Sequence, residues 1–411
     1  MKKYIFISIL FLLFANVVLA NNNQIVDSKL DSVETIVPYE LEHNMDSVLK
    51  TWLVQKMSFG DCQKGTGTVL LPDSVYIECL QKLPHEMEMS FNAPVRSSIN
   101  FYAQKPGQVE YLLGMGHQYY FPIFENALSA HNIPLELKYL PVIESALNAK
   151  AVSRVGAAGL WQFMVGTGRS YKLEINSLVD ERMDPLKSTT AAAKYLKDLY
   201  SIYKDWYLVI AAYNCGPGNV NKAIYRSGGK RNYWDIYPYL PRETRGYVPI
   251  FIAANYIMNY YEQHNICPRS TTFPLATDTV MIDKRMHLKQ ISEVLHIPID
   301  ELRMLNPQYR RDLIPGNIKP YALVLPFGKV NSFIENTDTI LAYKAEELIS
   351  QQAVAKLAEY DYSTATYHKV RSGDTLSGIA QKYHVSVASL KRLNKLSGTT
   401  IRIGQRLRVR M

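Results

Sequence analysis

The chain has 411 residues, of which 47% are hydrophobic and 20% are charged, a globular composition long enough for about two or three domains. This composition excludes a wholly disordered chain and a polytopic membrane protein, and 21 glycines with 20 prolines exclude a collagen-like one. The formal net charge is +9, yet residues 367–411 alone sum to +9, with ten basic residues against Asp374. The basic character therefore belongs to a C-terminal segment that favours anionic surfaces.

The N-terminus has the pattern of a secretory signal. Lys2 and Lys3 precede an apolar run that begins at Ile5, and small residues end at Ala20. We predict a signal peptide over residues 1–20 and export to the periplasm or cell envelope, with an uncleaved membrane anchor as the alternative. Residues 21–46 predict a flexible leader. An exported chain rarely meets DNA, so we expect no nucleic-acid partner; peripheral membrane association is left open.

Four cysteines bear on the fold of an exported chain: Cys62, Cys79, Cys215 and Cys267. They permit two disulfides through three connectivities. Pairing Cys62 with Cys79 closes a short loop and leaves Cys215 with Cys267, while free buried thiols are the alternative. No Cys-x-x-Cys pair or His cluster indicates a metal, and we expect no cofactor.

From residue 47 to residue 266 the apolar spacing is helical. Apolar side chains recur every three or four positions over residues 192–203, which predicts a helix that begins after Ser188, Thr189 or Thr190 as its cap. Residues 247–260 carry a similar face. Because strand-like alternation is scarce here, we predict a mainly α fold, α+β at most, with residues 47–107 as a helical N-terminal extension.

The C-terminal part contains an internal repeat at an offset of 88 residues. Residues 288–307 align without gaps on residues 376–395, with identities at six of twenty positions that include Leu288 on Leu376 and Asn306 on Asn394. Short β-branched stretches flank each copy. The pattern predicts a β-α-α-β unit that occurs twice.

The second copy reads YHKVRSGDTLSGIAQKYHVSVASLKRLNK and is followed by IRIGQRLRV. It closely resembles a LysM domain, over residues 367–411. The family binds N-acetylglucosamine-containing glycans, so the resemblance implies attachment to the cell wall. The predicted glycan-binding residues open the first helix, where their backbone groups form one side of a shallow groove: Gly373, Asp374, Thr375 and Leu376. The first copy, residues 277–326, lacks the Ser-Gly-Asp-Thr run. We predict a degenerate, structural LysM-like module there, and a partly helical linker over residues 327–366.

Glu144 is the first candidate for chemistry, because it follows the apolar stretch Leu140-Pro141-Val142-Ile143. If these neighbours exclude water, the pKa of the carboxyl rises toward the range of about 6 to 7 that suits a general acid. On this stretch alone, an ordinary surface glutamate near a helix end is the favoured interpretation.

Four ordered blocks change that balance: Glu144-Ser145, SRVGAAGLWQ at 153–162, AYN at 212–214 and ETRGYV at 243–248. Together they resemble lytic transglycosylases of goose-lysozyme-like fold, over about residues 108–266, and the LysM modules that follow make the membrane-bound lytic transglycosylase D type the most similar. The resemblance implies that Glu144 is the single catalytic acid and then the base. It also implies a set of substrate-binding residues: Ser153, Gln162, Tyr213, Asn214 and Tyr247.

No second acid stands close to Glu144 in the chain. The next acids in the chain are Glu174, Asp180, Glu181 and Asp184, and Glu243 approaches only through folding. All five are expected to be solvated charges or members of structural pairs. A lone acid suits the family's reaction, in which the C6 hydroxyl of N-acetylmuramic acid attacks its own C1 and leaves a 1,6-anhydromuramyl end without water. The partner implied is the peptidoglycan glycan strand. The alternatives are a hydrolytic muramidase of the same fold and a non-catalytic LysM scaffold that binds the wall.

Overall fold

A computed structural model of the chain describes residues 62, 65, 67–83, 86–271, 273–274, 276–354, 367–383 and 385–409. The predicted signal peptide and leader lie outside these described residues. Within the described ranges, no helix is both long and apolar enough to cross a membrane. The expected fold class is confirmed, since a mainly helical part is followed by small modules that mix strands and helices.

The helical part is built from α-helices of 4 to 19 residues joined by short turns. They are α1 (Asp73–Lys82), α2 (Ala93–Ala103), α3 (Pro106–Met115), α4 (Phe121–Ala130), α5 (Leu140–Ser145), α6 (Val165–Ser170), α7 (Pro185–Tyr203), α8 (Trp206–Cys215), α9 (Pro217–Arg226), α10 (Tyr233–Ile236), α11 (Arg242–Arg245) and α12 (Tyr247–Tyr260). A π turn at Gly116–Tyr120 and 3-10 turns at Leu135–Tyr139, Tyr237–Tyr239 and Tyr261–His264 join some of them. The centre is α12, which is buried along most of its length and packs against α2, α5 and α8.

The start of α7 differs from the prediction. Its cap is Asp184, whose Oδ1 accepts hydrogen bonds from the backbone N–H groups of Leu186 (3.0 Å) and Lys187 (2.9 Å). Pro185 occupies the first helical position, where its missing N–H costs nothing. The predicted caps Ser188, Thr189 and Thr190 lie inside the helix and donate back to carbonyls four residues earlier. An aspartate before a proline was the stronger start signal.

The disulfide joins Cys62 to Cys267 and closes the helical part from its first described residue to its end. The pairing of Cys62 with Cys79 is therefore wrong. Cys79 points from α1 into the core, with its Sγ 3.6 Å from Gln263 Oε1, and both Cys79 and Cys215 are free thiols. The alternative of free buried thiols holds for Cys79, while Cys215 is partly exposed.

The LysM-like module has a core of its own. Its elements are β1 (Thr277–Ile282), β2 (Arg285–His287), α13 (Leu288–Leu295), α14 (Ile299–Leu305), β3 (Leu313–Pro315) and β4 (Tyr321–Pro326). Strand β1 pairs antiparallel with β4, and β2 pairs antiparallel with β3. The predicted β-α-α-β order is present, with the short β2 and β3 pair added to it.

Part of the segment that we expected to be a linker belongs to this module. It forms α15 (Val330–Glu335), α16 (Thr337–Ala342) and α17 (Ala345–Leu348), and Phe333 and Ile340 are buried in the module's core. Gln290, itself buried, donates through Nε2 to the carbonyls of Leu341 (3.2 Å) and Tyr343 (2.9 Å). Apolar side chains on two short helices thus extend the module beyond residue 326.

The C-terminal module repeats the plan with β5 (Tyr367–Lys369), α18 (Leu376–Lys382), α19 (Val387–Leu393) and β6 (Arg406–Arg408), where β5 and β6 pair antiparallel. The repeated asparagine, Asn306 in one module and Asn394 in the other, makes the same two hydrogen bonds in both. Asn306 donates to the carbonyl of Val324 and accepts from its N–H, both at 2.8 Å. Asn394 does the same with Arg408, at 2.8 and 2.7 Å. In each module this side chain ties the end of the second helix to the last strand.

Candidate active site

Glu144 lies on α5, a helix of six residues in the middle of the helical part. Pro141 stands in the first turn of α5, and Ala146 ends the helix in the left-handed conformation at φ 51°. Ser145 Oγ is 3.0 Å from the carbonyls of both Pro141 and Leu160. These contacts fix the helix, and so Glu144, against the turn that contains Leu160.

The Glu144 carboxyl is neither freely exposed nor fully enclosed. Burial raises its pKa to about 7, and a hydrogen bond donated by the Tyr247 hydroxyl to Oε1 opposes that rise. At neutral pH a substantial fraction of the carboxyl therefore carries a proton. This environment excludes the interpretation of Glu144 as an ordinary surface glutamate.

Two tyrosines surround this carboxyl. Tyr247 begins α12 and is buried, and burial together with the charge of Glu144 holds its pKa well above the usual value, so it stays a neutral donor. Burial and Glu144 act on the pKa of Tyr213 in the same direction. The Tyr213 hydroxyl donates to the Trp161 carbonyl at 2.8 Å, which connects α8 to the loop that carries Gln162.

Ser153 and Gln162 both lie on residues 151–163, here called the 151–163 loop. Ser153 Oγ accepts from Ala157 N at 3.0 Å, and Gln162 Nε2 donates to the carbonyls of Gly159 (2.8 Å) and Ala151 (3.2 Å). Gln162 has φ 48°, an uncommon conformation for a residue other than glycine. In the structure both polar side chains thus hold the shape of the loop.

The loop packs closely on the rest of the domain at Gly159 and Trp161. A Cβ on Gly159 would lie 1.7 Å from the carbonyl oxygen of Arg182, and the residue has φ 84°, so only glycine fits there. Trp161 is fully buried, and its Nε1 donates to Thr189 Oγ1 at 2.9 Å. Trp161 is therefore part of the packed core.

Asn214 contacts a residue that was not among the predicted site residues. It is exposed near the end of α8, and its Oδ1 accepts from the hydroxyl of buried Thr244 at 2.9 Å. Thr244 lies on α11, three residues before Tyr247. The structure thus brings Glu144, Tyr213 and Tyr247 into one cluster, with Gln162 and Ser153 on the adjoining loop and Asn214 at its edge. The position of Thr244 within the ETRGYV block was the signal that could have found it.

The other acids near this region are engaged elsewhere, as expected. Their partners are Arg182 for Asp180 (2.7 Å), Lys187 for Glu181 (2.5 Å) and Lys319 for Glu174 (2.7 Å), while Asp184 caps α7. The pKa of Glu144 is raised by burial and lowered by the hydrogen bond from Tyr247. Glu243 is exposed on α11, and among the residues that the structure describes no other acid contributes to this shift. Among the described residues, no group of three His, Cys, Asp or Glu side chains could hold a metal ion.

In the C-terminal module, the four predicted glycan-binding residues have different surroundings. Gly373 has φ 86°, and Thr375 caps α18 by accepting from Gly378 N at 3.0 Å. The Asp374 carboxylate accepts from Arg371 N and His368 Nε2, both at 2.7 Å, and these bonds lower its pKa. The Leu376 side chain is buried in the module's core, so only its backbone is left for the predicted groove.

Three family descriptions match the chain. Residues 121–236 match "Transglycosylase SLT domain", residues 276–342 match "Lytic transglycosylase MltD, LysM-like domain" and residues 368–410 match "LysM domain". Residues 121–236 are thus similar to the SLT domain and two C-terminal stretches are similar to LysM modules, so the resemblance stated from the motifs is confirmed.

Among known proteins, it is similar to membrane-bound lytic murein transglycosylase D of Escherichia coli (strain K12), with 31% identity over 282 residues, which cover 68% of this chain and 60% of that one. The chain therefore spans less than two thirds of that relative. Soluble lytic murein transglycosylase of the same organism is 31% identical over 151 residues, 34% of this chain and 23% of the relative. Among solved structures, the 70 kDa soluble lytic transglycosylase of Escherichia coli matches with 19% identity and a TM-score of 0.32 over 61% of this chain and 40% of that chain.

Proposed function

We propose that the protein is a peptidoglycan lytic transglycosylase. It cleaves the β-1,4 bond between N-acetylmuramic acid and N-acetylglucosamine without water and leaves 1,6-anhydromuramyl ends. The observation that carries this proposal is Glu144, a single, partly buried carboxyl whose pKa is raised to about 7 beside a neutral tyrosine donor. A glycosidase that activates water usually needs a second carboxylate, and no other acid among the described residues contributes to the pKa of Glu144.

The first step uses the protonated form of Glu144. Its proton passes to the glycosidic oxygen, the bond between that oxygen and C1 of the muramyl sugar breaks, and C1 develops oxocarbenium character. The carboxylate that results keeps the hydrogen bond from Tyr247, which stabilises the new negative charge. In the second step Glu144 accepts the proton of the C6 hydroxyl while O6 bonds to C1. The carboxyl ends the cycle protonated again.

In this proposal the surrounding polar side chains line the cleft that binds the glycan strand. Ser153, Gln162, Tyr213 and Asn214 contact the sugars, and the backbone around Gly373 to Thr375 binds N-acetylglucosamine at the C-terminal module. The names of the relatives, two of them murein transglycosylases, support this substrate class. A location in the cell envelope follows from the same substrate, since murein lies outside the cytoplasm.

The test is digestion of purified sacculi by the wild-type protein and by Glu144→Gln, with released muropeptides resolved by mass spectrometry. We expect anhydromuropeptides from the wild type and none from Glu144→Gln, with circular dichroism showing that both are folded. Products heavier by one water would identify a hydrolytic muramidase instead. Binding to sacculi with no release by the wild type would identify a scaffold.

A further inference from the structure

The LysM-like module is joined to the helical part through residues 174–182, here called the 174–182 segment, which connects α6 to α7. Val179 pairs with Tyr309 of the module in an antiparallel bridge. On either side, Asp180 N donates to Gln308 O at 2.9 Å and Arg310 N donates to Leu178 O at 2.8 Å. The segment therefore gains the backbone pairing of a strand from the module.

Side chains strengthen this junction in both directions. Val179 is fully buried in the core of the module, while Leu305 of the module is buried in the core of the helical part. Glu174 accepts a hydrogen bond from the Tyr321 hydroxyl at 2.8 Å and forms an ion pair with Lys319 at 2.7 Å. Because each core contains a side chain from the other part, the two parts cannot separate without exposing apolar surface.

At the other end of the 174–182 segment, Arg182 contacts the candidate active site. The residue is 6% exposed, and its Nε and Nη2 donate to the two oxygens of Asp180, at 2.9 and 2.7 Å. Nη1 donates to the carbonyls of Gly156 (2.8 Å) and Phe163 (3.0 Å), one in the middle and one at the end of the 151–163 loop. A buried guanidinium needs this many partners, and here two of them belong to the loop.

The loop needs such support, because Gln162 has a backbone conformation that costs energy. Gly156, Gly159 and Gln162 all have positive φ, and Gln162 lacks the freedom of glycine. We infer that Arg182 is a positioning residue that holds Ser153 and Gln162 in place for the proposed reaction, and that the LysM-like module supports it through the 174–182 segment. This inference rests on the proposed function. It gives the degenerate module a role in catalysis rather than in binding glycan.

The experiment compares three changes in the full chain. Arg182→Gln removes the contacts to Asp180 and the loop, and Arg182→Lys keeps the charge but cannot form the same fork of bonds. The double variant Lys319→Ala/Tyr321→Phe loosens the junction from the module's side. Arg96→Gln is the matched control, because it removes an exposed arginine paired with Asp73 at 3.3 Å.

We expect Arg182→Gln to lower kcat on purified sacculi about 100-fold with little change in KM, since a displaced loop misaligns the reacting groups. Arg182→Lys should restore only a small part of this loss. The double variant should lower kcat about fivefold, the size of one or two lost hydrogen bonds. Arg96→Gln should match the wild type.

Amide hydrogen exchange separates positioning from general destabilisation and does not depend on activity. In Arg182→Gln and in the double variant, the amides of Ser153, Ala158 and Phe163 should exchange faster, while those of α12 stay unchanged. An unchanged kcat in a folded Arg182→Gln overturns the inference, as does exchange that rises evenly through all helices. If Arg182→Gln does not fold, the double variant decides in the same way. A wild type that releases no anhydromuropeptides refutes the proposed function, and the exchange data still test the inference.

Discussion

At the scale of single residues, the proposed chemistry depends on what surrounds one carboxyl. Glu144 is approached by a hydroxyl donor and apolar side chains, and Tyr247 and Tyr213 both keep their protons because burial and Glu144 raise their pKa. The apolar stretch before Glu144 predicted a raised pKa from sequence. Its hydrogen-bond partner Tyr247 lies more than 100 positions later in the chain, and only the fold brings the two residues together. Tyr247 could therefore be predicted as a site residue only through the family resemblance.

The raised pKa of Glu144 has a consequence for stability that can be measured. The folded protein keeps this proton up to about pH 7, whereas an unfolded glutamate loses it near 4.5, so the wild type loses stability as pH rises through this window. Glu144→Gln removes the titration. At pH 8 we expect its free energy of unfolding to exceed that of the wild type by about 3 kcal/mol, and at pH 4 the two should agree.

Urea denaturation at several pH values would measure this difference. Glu88→Gln, a change at an exposed acid, is the control and should show no such trend. A constant difference between Glu144→Gln and the wild type from pH 4 to pH 8 would contradict the raised pKa.

Tyr247→Phe should change the pH dependence of turnover. The hydrogen bond from Tyr247 lowers the pKa of Glu144, so its loss should move the alkaline limb of the kcat profile to higher pH. At pH 6, where Glu144 is protonated in both proteins, kcat should fall about tenfold because the new carboxylate loses a donor. The profile of muropeptide release between pH 5 and pH 9 measures both effects. An alkaline limb that moves to lower pH would refute the assigned role.

At the scale of elements, the helical spacing predicted α12 at its observed bounds and placed the body of α7 correctly. The start of α7 was misplaced because three hydroxyl residues offered caps, while the structure uses Asp184 and Pro185. The repeat predicted the order of strands and helices in both modules. The pairing of Val179 with Tyr309 was not predictable, since it joins backbone groups and leaves no pattern in the side chains.

Two glycines near the candidate site provide a matched test of the loop's packing. Gly159→Ala would place a Cβ against the Arg182 carbonyl at a positive φ, so we expect a loss of about 3 kcal/mol or more in unfolding free energy. Gly166→Ala, in α6, meets no atom within 4 Å and should stabilise by about 0.5 kcal/mol. Thermal unfolding of the two variants would compare them. Equal effects would show that the loop does not pack on residue 182 as described.

At the scale of the whole molecule, the disulfide closes nearly the entire helical part. Cys62 and Cys267 are 205 positions apart, and the LysM-like module begins shortly after Cys267. The sequence left three connectivities open, because the choice depends on which cysteines the fold brings together. Cys79 was unavailable because it faces the core.

Removal of this link should destabilise the protein. For a loop of this length, Cys62→Ala/Cys267→Ala should lower the unfolding free energy by about 4 kcal/mol, because the unfolded chain is no longer constrained. Cys215→Ala, at a partly exposed free thiol, is the control and should change it little. Peptide mapping without reductant should recover Cys62 linked to Cys267, with Cys79 and Cys215 open to alkylation. Recovery of Cys62 linked to Cys79 would refute the connectivity.

The shared asparagine of the two modules bears on how such a chain diverges. Asn306 and Asn394 close their modules from the inside and take no part in the loop at residues 372–375. The contacts that close each module are thus separate from the surface proposed to bind sugar. A copy that lacks the Ser-Gly-Asp-Thr run can therefore still fold, which leaves it available for the proposed support of a neighbouring domain.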